Sequence, residues 1–221
     1  MNPILVKMVY RPAIKRAAYA GLVGRNRDCQ RLDKGRFTRA EVDYIMEQVW
    51  QGYDQLAPAI PREPKLGNRM NMLLACVTLS CFQALTSAGI ERDYAIELIG
   101  DVAWKVYEKW GRLTIFVARL LSRHPRERMR MSVNMFLRFP FTPPGYVFER
   151  LDSSDGVAFN MLRCPISEYF RAQGASDLCV GSWCNLDFSL AEMWGGWLER
   201  KETLAAGCTR CDFRFKTVAQ V

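Results

Sequence analysis

The spacing of the apolar residues changes near residue 146, and that change limits what the chain can fold into. Before it they recur every three to four residues, and after it they alternate, so a helical first part precedes a part with strands. Thr38-Arg39-Ala40-Glu41 fits a capping box, and Val42, Ile45, Met46, Val49, Trp50 and Tyr53 follow at helical spacing, which predicts a helix over 39–56. Pro58, Pro61 and Pro64 then fix a stiff connector. Further helices are predicted over 69–88, 92–110, onward to 122, and 127–139. Residues 146–151 and 157–163 flank a polar run and read as a hairpin. Short helices over 166–173 and from 185 onward come next, and 197–203 and 211–217 alternate as a second strand pair. The expected fold class is α+β, a helical N-terminal half packed on a small antiparallel sheet, with a ββααββ-like C-terminal half.

The net charge of +8 comes from one segment. Residues 1–40 hold ten basic side chains against Asp28 and Asp33, and the remainder balances. This predicts a basic N-terminal arm over 1–40, solvated or docked on a partner or an acidic surface. It precedes a single domain over 41–221, helical over 41–140 and α+β over 141–221. No nucleic-acid motif accompanies the arm. The longest apolar stretch, 70–85, is interrupted by polar residues and reads as a core helix, not a membrane span. No secretory signal is evident, so a cytoplasmic location and reduced thiols are expected.

Five of the eight cysteines lie between Cys164 and Phe215. Cys179 and Cys184 with Cys208-x-x-Cys211 approach a four-thiolate zinc spacing, and Cys164, Cys184 and Cys211, with Asp187, could form an open zinc site. No cofactor is required by this pattern; zinc is the one it allows. The competing chemistry is a cysteine nucleophile. Cys164 precedes a helix beginning at Pro165, whose N-terminus favours a thiolate, and Asp187 lies three residues after Cys184. Arg200 and Arg214 are candidates for binding a carboxylate, or for cross-strand pairing with Glu199 or Glu202. The single histidine, His124, sits in a basic run before Pro125 and reads as a surface residue.

Pro61-Arg62-Glu63-Pro64-Lys65-Leu66-Gly67 with Asn71, Cys164-Pro165 with Tyr169-Phe170, Cys184-x-x-Asp187, Arg200-x-x-Thr203-Leu204-Ala205-x-Gly207 and Cys211-Asp212-Phe213-Arg214-Phe215 form a recognisable set. The chain resembles the L-2-amino-thiazoline-4-carboxylic acid hydrolase family over about residues 60–215. The resemblance implies a hydrolase that opens a small carboxylated cyclic amidine by adding water at the ring carbon between nitrogen and sulfur, giving a carbamoyl-cysteine. Its motif positions here are Cys164, Cys184, Asp187, Arg200, Thr203, Cys211, Asp212 and Arg214. Cys184, Asp187 and Cys164 are thus the catalytic candidates, Arg200, Thr203 and Arg214 the substrate-binding ones, and Cys164, Cys184 and Cys211 the metal candidates. A small-molecule substrate and a second copy of the chain are the expected partners. The rival reading is a non-catalytic small-ligand sensor or accessory protein with a structural cysteine-zinc site.

Overall fold

The computed structural model describes residues 2–217. Helix α1 (Pro3–Leu22) starts from an Asn2 cap, with its side chain accepting from the Ile4 amide. Helix α2 (Arg39–Leu56) carries the expected capping box, Thr38 receiving the Glu41 amide while the Glu41 carboxylate receives the Thr38 amide. Thr38→Ala removes one half of that reciprocal pair and should cost about 1 kcal/mol in urea unfolding, with the denaturant slope unchanged. Helix α3 (Leu66–Ser87) is buried on most sides. It is the one described helix long and apolar enough to cross a bilayer, and most of it lies inside the fold.

Helix α4 (Arg92–Leu121) runs unbroken through the boundary expected at residue 110. The reason is Gly111, which permits α8 to approach; a Cβ there would stand 2.5 Å from Leu190 Cδ2. Helix α5 (Pro125–Arg138) follows, with exposed His124 at its cap.

The second part contributes β1 (Val147–Leu151), β2 (Gly156–Arg163), α6 (Pro165–Ala172), α7 (Ser176–Cys179), α8 (Leu186–Met193), β3 (Gly196–Glu199) and β4 (Cys211–Thr217). All strand pairs are antiparallel, in the order β1-β2-β4-β3. The fold is α+β, with three helical segments where two were expected between the hairpins. Helix α5 packs on β2 and β4, and α4 packs on α5, α8, α1 and α3. Because strand side chains alternate, Val157, Phe159 and Met161 face the helices together with their partners Phe215, Phe213 and Cys211. Phe159 and Phe213 stack at 4.8 Å.

The basic segment is corrected by the structure: it is not a separate solvated arm. Val6, Ile14, Ala18 and Leu22 of α1 join the core. Lys7 pairs with Asp54, Lys15 with Asp43, Arg27 with Glu41, and Arg25 with both Glu97 and Asp101. The charge excess of the first forty residues is thereby met by acids of α2 and α4.

Candidate active site

A cavity of about 100 Å³ lies between the inner face of the sheet and helices α4, α5 and α8. Its walls are mostly apolar, and its polar groups converge from separate elements. Cys184, Asp187 and Arg200 line it, with Cys164, Cys179 and Cys211. Such a shape, apolar with a few convergent polar groups, is the usual form of a small-molecule site.

Cys179 and Cys184 flank a π-helical turn over Val180–Cys184, closed by the Asn185 amide donating to the Val180 carbonyl at 3.0 Å. The wider turn precedes α8, and Cys184 and Asp187 both reach the cavity. Arg200 follows β3, and its side chain is only 4 % exposed. It donates to Asp187 Oδ2 at 2.8 Å and to the Cys184 carbonyl at 3.0 Å, and its guanidinium lies over the rings of Phe188 and Phe213. Aromatic faces stabilise such a desolvated cation.

The segment after Arg200 is held by Asp212. Its Oδ1 accepts from the amides of Lys201 at 2.9 Å and Glu202 at 2.6 Å. Burial raises its pKa, but those amides outweigh burial and hold it below the usual carboxylate range. Thr203 then stands between two sulfurs, its Oγ1 3.7 Å from Cys184 Sγ and 3.4 Å from Cys211 Sγ, while the Leu204 amide donates to Cys211 Sγ at 3.2 Å. Gly207 ends this turn with a φ of +90°, a left-handed conformation that favours glycine.

The four cavity thiols are not equivalent. Burial pushes Cys164 up to about 12, overriding the helix N-terminus expected to lower it. Burial also raises Cys211. Cys179 and Cys184 share a proton: it stays on Cys179, whose thiol supports the Cys184 thiolate, and Arg200 and Thr203 lower Cys184 further against the effect of burial. Asp187 is pushed up to about 6 by burial, with Arg200 opposing the rise.

Other expectations end differently. Arg214 lies on the outer face of the sheet, donating to the Phe159 carbonyl and Asn160 Oδ1, both at 3.0 Å. It does not line the cavity; nor does it form the proposed ion pairs, Lys216 being the partner of Glu199. Cys208 lies outside the cavity. Among the described residues no three His, Cys, Asp or Glu side chains are grouped to hold a metal ion. Cys164, Cys184 and Cys211 share a cavity without converging on one point, and the hydroxyl and amide contacts of Cys211 are those of a packed thiol. These residues do not fit the proposed zinc site.

Two tyrosines complete the cavity that the sequence had assigned only to a helix face and a strand. Tyr146 is buried and receives a hydrogen bond from Asn71 Nδ2 at 3.1 Å. The Tyr107 hydroxyl makes no hydrogen bond among the described residues, and its pKa is raised by burial and then by Asp187 and Cys164. The only sequence signal was the apolar stripe of α4, which cannot show which core side chain meets a cavity.

A model of the L-2-amino-thiazoline-4-carboxylic acid hydrolase family matches residues 74–215, spanning the cavity from α3 to β4. The chain belongs to that family. No curated protein and no solved structure matches it. The match to the hydrolase family begins after the 61–67 motif and Asn71, so these lie outside it. Their structure nevertheless supports the site. Arg69 donates to the Glu63 and Pro64 carbonyls, and Asn68 to the Thr142 carbonyl. Gly67 lets α3 meet the loop before β1, since a Cβ there would lie 2.7 Å from Pro140 Cα. Arg163, immediately before Cys164, joins Glu63, Glu168 and the Gly145 carbonyl.

Proposed function

We propose that the chain opens a small carboxylated cyclic amidine of the 2-amino-thiazoline-4-carboxylate type by hydrolysing its ring C–N bond, with Cys184 as nucleophile. The observation that carries this reading is the lowered Cys184 thiol, placed among raised ones and three residues from the Asp187–Arg200 pair. Family membership supports the substrate class. Two of the five donors of Arg200 are used within the protein, and the remainder can receive the substrate carboxylate. Thr203 positions the thiol.

The Cys184 thiolate adds to the carbon of the amidinium, forming a C–S bond. Protonated Asp187 gives its proton to the ring nitrogen as the ring C–N bond breaks, which leaves a free amine and a covalent intermediate. Water then attacks the same carbon and Asp187 takes its proton. The bond to Cys184 breaks, the thiolate leaves, and the hydroxyl proton passes to the freed amine. One water has been added, the ring is open, and both groups return to their starting states.

The test is incubation of the purified protein with 2-amino-thiazoline-4-carboxylate, with product identified by mass spectrometry. A gain of one water is the expected result, and an unaltered substrate would reject the assignment. The acid form of Asp187 has a measurable consequence. With its pKa at about 6, kcat/KM should decline as pH rises through about 6. Substrate carboxylate on Arg200 weakens the cation's hold on Asp187, so the same limb in kcat should lie at higher pH. Asp187→Asn should remove the limb together with most of the rate.

A further inference from the structure

A second cavity, of about 300 Å³, lies between α1, α3, α4 and α5. It shares Tyr107, Phe136 and Trp183 with the catalytic cavity, so those three side chains form the wall between them. No charged side chain lines it. Its polar groups are directed to the protein: Asn71 donates to Tyr146, Thr114 to the Gly111 carbonyl, Tyr10 to Met70 Sδ and the Trp183 indole to Thr78. At its mouth Trp110, Leu113 and Phe139 are exposed. The charged groups, Asp187 and Arg200, belong to the inner cavity alone.

Resting on the reading of the inner cavity as the hydrolytic site, we infer that this outer groove holds an apolar substituent of the substrate. The preferred substrate is then an amphiphilic cyclic amidine. Its carboxylated ring sits beside Cys184 and Arg200, and its apolar part passes the Tyr107–Trp183 wall. The continuity of the two cavities names the substrate as occupant. The uncharged lining fixes the chemistry, because a polar group there would lose water and find no free charge to replace it.

The experiment compares 2-amino-thiazoline-4-carboxylate with an analogue bearing an octyl chain on its exocyclic nitrogen, in the wild type and in Leu113→Glu. Leu113 is exposed at the groove mouth and touches neither Cys184 nor Asp187, so the folded protein should accept the charge. The wild type should show at least a tenfold lower KM for the octyl compound. Leu113→Glu should remove that preference and leave kcat/KM for the parent unchanged. Equal KM values, or a preference that survives Leu113→Glu, would overturn the inference. So would a preference unaffected by a variant that converts a dimer to a monomer in sedimentation, since the groove would then be covered by a second copy. If neither compound is hydrolysed, the proposed function fails, and calorimetry still reads the groove. Tenfold tighter binding of the octyl compound, lost in Leu113→Glu, supports it, and equal binding rejects it.

Discussion

Cys184→Ala should reduce turnover of the thiazoline by on the order of 10⁴-fold or more, the scale seen when a covalent nucleophile is removed. The folded state should be almost unaffected. Cys184 loses only a sulfur, and its carbonyl still accepts from Arg200 because that bond belongs to the backbone. Thermal unfolding and circular dichroism would register any structural loss, and rapid-quench mass spectrometry would look for the covalent adduct in the wild type. Retained turnover would remove the nucleophile from the account. Cys164→Ala is the matched control: its thiol lies in the same cavity but burial keeps it protonated up to about 12, so its loss should alter packing more than rate.

Arg200→Met should be the most destabilising single change in the site. It leaves Asp187 buried without its cation, and breaking a buried pair in this way costs about 3–5 kcal/mol. The pH dependence should identify the cause. Asp187 in the folded wild type titrates at about 6, above its usual 3.8. A raised pKa means that the folded state holds the proton more tightly. Its stabilising effect is complete below about pH 4 and is lost as pH rises to about 6. Without Arg200 the folded pKa rises further, and the loss should extend into the neutral range. Urea unfolding of both proteins at pH 5 and pH 8 would show a larger gap at pH 8. A gap independent of pH would point to lost packing against Phe188 and Phe213 instead.

The helices were legible where local signals agree with packing. Thr38 and Glu41 mark the start of α2, and alternation placed β2 and β4 within a residue or two. Gly111 misled because a glycine within a helical pattern also reads as a break, and its reason, the approach of α8, is tertiary. Pro12 and the basic residues of α1 concealed a helix whose ionic partners lie on α2 and α4, far along the chain. In the site, Cys184, Asp187 and Arg200 were visible as motif positions, whereas the burial of Cys164 and the outward face of Arg214 depend on neighbours that spacing cannot supply. Asp212 was visible only as a motif letter. Its two backbone contacts give it a role, that of fixing the path of residues 200–203.

The π-helical turn over Val180–Cys184 fixes the length of the chain at this point. A turn closed by a bond to the fifth preceding residue contains one residue more than an α-helical turn. Deleting any one of the five would restore ordinary winding and rotate everything upstream by about 100° relative to α8. Cys179 would swing away from Cys184, and the thiol would lose the neighbour that most favours its ionised form. Side-chain changes in this turn are thus open to evolution one at a time, but loss or gain of a residue is not. Among hydrolases sharing this site, insertions and deletions should accumulate in the surface turns while the count from 179 to 187 stays constant.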